Sequence, residues 1–142
     1  MYQGLHHTHI LLRYFIFIML IVVVVMALVG LVNKKPYGKL HDKFGLYLLI
    51  FTHLQLVVGV ILYVVSPFVK FSSETMKDAT LRYWTVEHLT GMLIAIALIT
   101  VGRISTKKLP TDTAKHKRTL ILNGVALFLI LTIIYMSGRP IV

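Results

Sequence analysis

"ILLRYFIFIMLIVVVVMALVGLV", residues 10–32, carries one charge, Arg13, in an otherwise uncharged run. A helix of that length rises about 35 Å, and a bilayer's hydrocarbon core is about 30 Å thick. The stretch therefore reads as a membrane span. No Lys or Arg precedes Arg13, the apolar run exceeds that of a secretory signal, and no small-x-small cleavage site follows it. It is expected to be a retained span rather than a leader.

Working outward, three more segments meet the same requirement: about 44–65, 84–102 and 119–136. The connections between them are short and carry the Pro, Gly, Ser and Lys that end helices: "NKKPYGK", "SPFVKFSSE" and "STKKLPTDTAKHKR". None leaves room for a soluble domain. The expectation is one domain of all-α class, an integral membrane four-helix up-and-down bundle. Composition agrees: 57% of the 142 residues are hydrophobic and 14% charged, with a mean hydropathy of +0.82, far from a soluble globular chain.

The net charge of +10 is distributed unevenly. Lys34, Lys35, Lys39 and Lys43 fall in the first connection, and Arg103, Lys107, Lys108, Lys115, Lys117 and Arg118 fall in the third. In the second, Lys70, Lys77 and Arg82 are roughly balanced by Glu74 and Asp78. By the positive-inside rule the first and third connections face the cytoplasm and both termini lie outside. The charge calls for no nucleic acid; its partner is the lipid bilayer, anionic headgroups included.

Several chemistries are excluded. With no cysteine in the chain, disulfides, thiolate metal sites and a thiol nucleophile are ruled out. Nor is there a Gly-rich phosphate loop, a nucleophile elbow or a zincin spacing, so hydrolysis and nucleotide chemistry can be set aside.

Polar groups inside a span must face partners or a cavity. In the second span these are His53 and Gln55; in the third, Glu87, His88 and Thr90; Arg13 lies near the outer end of the first and Asn123 in the fourth. If the second and third helices leave their connection symmetrically, the midpoint between residues 53 and 88 falls at 70.5, between Pro67 and Glu74. His53 and His88 would then sit level and face each other. Two level imidazoles on different helices suit bis-histidine ligation of a haem iron. Gly91, at i+3 from His88, would let a flat ring approach the backbone, with Trp84 one turn the other way. Arg13 would pair with a propionate, and Glu87 would orient a neighbouring histidine.

Other readings of the same residues stand beside this one. His53 and Glu87 can be interhelical hydrogen-bonding partners, and Gly91 a close helix contact. Arg13 can snorkel to headgroups; Trp84, Tyr83, Tyr14 and Tyr63 suit an interfacial belt. His6, His9 and Arg13 share a helical face, which can bind a divalent metal, supply His9 as an outer cofactor ligand, or simply be solvated. A four-residue extension on one side of the second connection would shift the depth by about 6 Å, making His9 the better partner for one of the inner pair. His41 and His116, among lysines, are assigned no role.

The stretches "HTHILLRY" (7–14), "THLQLVVGVILYVVSP" (52–67), "LRYWTVEH" (81–88), "GMLIAIALITVGR" (91–103) and "AKHKR" (114–118) resemble the short four-span bacterial membrane proteins described as cytochrome b-like. The resemblance runs over nearly the whole chain. It implies a haem-associated inner-membrane protein, with His53 and His88 as the matching intramembrane histidines and His9, Arg13, Gln55 and Glu87 as matching polar positions. More distantly, "HLQLVVGVI" (53–61) is similar to the His-x-Gln-x-x-x-Gly stretch in one four-helix half of haem A synthase. That family holds haem through histidines near the outer helix ends, which favours His9; the cysteines some members carry are absent here.

Three functions are therefore expected to compete. One is electron transfer by a haem b protein, His53 and His88 ligating the iron, with a quinone as one redox partner. The second is an accessory or assembly subunit of a larger membrane complex. The third is a proton or quinone relay through Glu87 and His88.

Overall fold

The computed structural model describes residues 2–65 and 86–136. The described residues form four helices and no strand: α1 Tyr2–Val32, α2 Lys39–Val65, α3 His88–Lys107 and α4 Asp112–Met136. All four are long and apolar enough to cross a membrane. Their surfaces are apolar nearly all round. Leu11, Ile18, Val57, Val101 and Phe128 are exposed, as expected of helices whose outer solvent is lipid rather than water.

Each turn at the loop end, where residues 33–38 and 108–111 lie, has a local chemical cause. α1 stops in a left-handed residue: Lys34 has φ 53°, the Lys35 N–H donates to the Gly30 carbonyl at 2.9 Å, and the Asn33 N–H to that of Val29. This is the six-to-one closure of a Schellman cap, and Pro36 two residues later cannot continue the helix. At the start of α2 the Gly38 N–H donates to Nδ1 of His41, at 3.3 Å. An imidazole thereby does what a Glu does at the third position of a capping box. α4 opens on Thr111, whose Oγ1 accepts the Ala114 N–H at 3.2 Å, with Asp112 in the first turn favourably placed on the helix dipole.

The helices form a ring in chain order. α3 packs most extensively on α4, α1 on both α2 and α4, and the α2–α3 edge is the most open. Ile16, Leu20, Val23 and Ala27 make one buried stripe on α1, at spacings of three and four residues, and the first three meet Leu48, Ala95, Ile99 and Ala126 in the core. On α3 the buried seam is Gly91, Ala95, Ile99, Gly102 and Thr106. Small residues there let backbones approach, the usual device of helix association in lipid.

Candidate cofactor site

Near the N-terminal end of the ring, His9 of α1 faces His88 of α3 across the bundle diagonal. Their ring centroids are 6.2 Å apart with an interplanar angle of 47°. Gln55 of α2 closes one side: its Nε2 donates to the His9 carbonyl at 2.8 Å. Gly59, one turn beyond Gln55, lies against the His9 ring. A Cβ built on it would stand 3.5 Å from His9 Nε2, so α2 presents bare backbone where the imidazole meets it. Arg13, one turn from His9 on the same face, has its guanidinium carbon 5.0 Å from the Tyr14 ring centroid.

Two polar atoms here are buried with no hydrogen-bond partner in the protein: Arg13 Nε, a donor, and Gln55 Oε1, an acceptor. Orphans of this kind cost roughly 1–3 kcal/mol each, and they cluster where a polar ligand would satisfy them. Glu87 precedes His88 and is half-buried.

Two imidazoles from different helices beside a guanidinium form a donor set that would suit a haem, with His9 and His88 as the residues that would hold it. Arg13 supplies a free donor for a carboxylate, and Gly59 is already covered by the His9 ring. Gly91, expected to admit a flat ring, is filled instead by α4. A Cβ on it would lie 2.6 Å from Ile133 Cγ1, so the glycine is a helix contact.

The expected facing of His53 and His88 is corrected. His53 is exposed, and its Nε2 lies 3.0 Å from Thr100 Oγ1. Thr100 is twelve residues beyond His88, about 18 Å along α3, so the two histidines are not level. The connection between the two helices, with Trp84, Tyr83, Arg82, Lys70 and the other residues of that stretch, lies outside the described residues. Of the readings left open, interhelical hydrogen bonding describes His53, with Thr100 as its partner.

His6 and His7 pack edge-on, with centroids 6.3 Å apart. Among the described residues no three His, Asp or Glu side chains come close enough to hold a metal ion. The terminal histidines do not build one.

A second polar cluster, at the loop end, has no counterpart in the sequence reading. His116 is fully buried, 0% exposed, with its ring against Gly30 and 5.4 and 4.8 Å from the rings of Tyr37 and His41. Arg103 is not a connection residue; it lies in α3, 7% exposed, and its Nη1 donates to Asp42 Oδ1 at 2.6 Å. Burial pushes the Tyr37 phenol up, only partly offset by the Arg103 guanidinium beside it. The missed signal was spacing. His116, Thr119, Asn123, Ala126 and Ile133 are all buried and recur at three, four or seven residues, a single bundle-facing seam whose first member is the histidine.

Comparison with family models, with curated proteins and with solved structures finds no match.

Proposed function

We propose that this chain is a haem b protein of the bacterial inner membrane that takes part in electron transfer, with His9 and His88 as the residues that would hold the haem. The observation that carries this reading is the 6.2 Å spacing of the two imidazoles; the buried, unpartnered Arg13 Nε supports it. When bound, haem supplies one-electron chemistry between a quinone and a protein partner. His9 is held by its helix and by the Gln55 amide on its own carbonyl, and His88 sits at the start of α3. Arg13 offers a charge-assisted hydrogen bond to a propionate. Glu87 orients an imidazole from the same end. By the positive-inside rule this site would lie near the outer face, with the loop end in the cytoplasm.

The test is a dithionite-reduced minus oxidised visible spectrum of protein expressed with adequate haem and purified in mild detergent. A sharp α band is expected, lost in His9→Ala and in His88→Ala and kept in His53→Ala. A flat spectrum from folded, haem-supplied protein overturns the proposal. Loss in His53→Ala with retention in His9→Ala overturns the assignment of His9.

A further inference from the structure

His53 stands at the middle of α2, about 20 Å by helical rise from either end, and its side chain is exposed on the most open edge of the ring. At that depth the outer solvent is hydrocarbon, where an imidazole is costly unless it meets a partner. Its Nε2 has one in Thr100 Oγ1, at 3.0 Å. The direction of that bond is fixed by the next one. Thr100 Oγ1 donates to the Ile96 carbonyl at 2.7 Å, and a hydroxyl has a single proton, so towards His53 it only accepts. Nε2 therefore carries the imidazole proton. Nδ1 of the neutral ring is a bare acceptor, with no hydrogen bond among the described residues.

What meets Nδ1 must be a donor that is soluble in lipid and free to sit at mid-depth. Phospholipids carry their polar groups at the interface, about 15 Å away. A second copy of this chain fails as well, because the span hydroxyls at that level, Thr52 and Thr100, are already spent on the carbonyls of Leu49 and Ile96. Ser and Thr in any helix are prone to the same back-bonding, which makes them poor donors for a partner helix too. A quinol has no backbone to claim its hydroxyl protons. One turn to either side, Ile50 and Val57 on α2 and Ile104 on α3 are exposed, and Ala97 is exposed and small. The polar pair is thus flanked by apolar surface for a ring and its tail. We infer that the α2–α3 edge binds a lipid-soluble quinol at His53, one quinol hydroxyl donating to Nδ1.

The choice of a redox-active ligand rests on the electron-transfer reading; binding involves neither His9 nor His88. The geometry also sets a preference between redox forms. A quinone offers only carbonyl acceptors, so at Nδ1 it needs the other tautomer, with the Thr100 hydroxyl turned from Ile96 to His53. The site favours quinol over quinone.

Full-length protein with ¹⁵N-labelled histidine, in lipid nanodiscs, is titrated anaerobically with decylubiquinol and separately with decylubiquinone. The His53 ring nitrogens are followed by NMR and assigned by their loss in His53→Ala. The expected result is a ring protonated at Nε2 and not at Nδ1, whose Nδ1 signal moves at a quinol concentration about tenfold below that needed of quinone, the worth of one hydrogen bond. In Thr100→Val, with helical content by circular dichroism unchanged, that preference is expected to disappear. A proton on Nδ1, an equal response to both forms, or no response to either from folded native protein overturns the inference. So does an Nδ1 already hydrogen-bonded before quinol is added, in protein that sediments as more than one chain, which identifies the edge as a helix–helix contact. Quinol binding without an α band overturns the electron-transfer reading alone, and an α band without quinol binding overturns this site alone.

Discussion

Lys34 occupies a backbone region that β-carbon sterics make costly, at φ 53°. A residue with a Cβ gives up about 1–2 kcal/mol there relative to glycine, while glycine adds about 0.4–1 kcal/mol of unfolded-chain entropy. Lys34→Gly is therefore expected to raise stability by up to about 1 kcal/mol, measured as a higher midpoint of thermal unfolding in detergent. A lower midpoint would mean that the lysine side chain contributes more than its backbone costs. The position was not legible in the sequence as a cap, because the residue is not the Gly or Asn that usually marks one. His116 was hidden for a related reason: its lysine neighbours label it as surface, and only its register with Thr119 and Asn123 places it inside. Arg13 and Gln55, by contrast, were legible as intramembrane polar residues needing partners, and both carry a buried unpartnered atom at the site.

At the scale of the helix, the spans were readable from composition alone, since a bilayer sets their minimum length and lipid tolerates no unsatisfied backbone. Relative depth was not. It depends on how the chain turns between α2 and α3, and no residue within 44–65 or 84–102 encodes that turn. His53 therefore falls level with Thr100 rather than with His88. What fixes α3 laterally is its small-residue seam. Gly91→Val would drive a branched side chain into Ile133, whose Cδ1 stands 2.5 Å from the position of the added Cβ. Either the α3–α4 backbones separate or Ile133 leaves its rotamer, at about 1–3 kcal/mol for an overpacked core. On the proposed haem reading, because Gly91 lies one turn from His88, the same substitution is expected to weaken or broaden the α band while leaving the helical content by circular dichroism unchanged. An α band and melting curve identical to those of the native protein would show that the contact is not tight.

Across the whole molecule, the ring is closed unevenly. Packing dominates three of its edges, whereas α2 and α3 touch little and are joined by polar ties that include His53 to Thr100 and Asp42 to Arg103. The second tie is asymmetric: the Arg103 side chain is 6% exposed and that of Asp42 44% exposed. Removing the acid strands a buried cation. A buried pair broken on one side costs about 3–5 kcal/mol, and the exposure of Asp42 reduces that through solvent screening, to about 1–3 kcal/mol. Removing both charges leaves no stranded cation, and apolar replacement of buried pairs is often close to neutral. Asp42→Ala is thus expected to lower the unfolding midpoint more than the double change Asp42→Ala with Arg103→Met. The comparison is a double-mutant cycle read by thermal unfolding in the same detergent. Additive effects would show that the pair is an incidental contact. Positive coupling would identify Asp42 and Arg103 as the tie that keeps α3 at the depth where His88 meets His9.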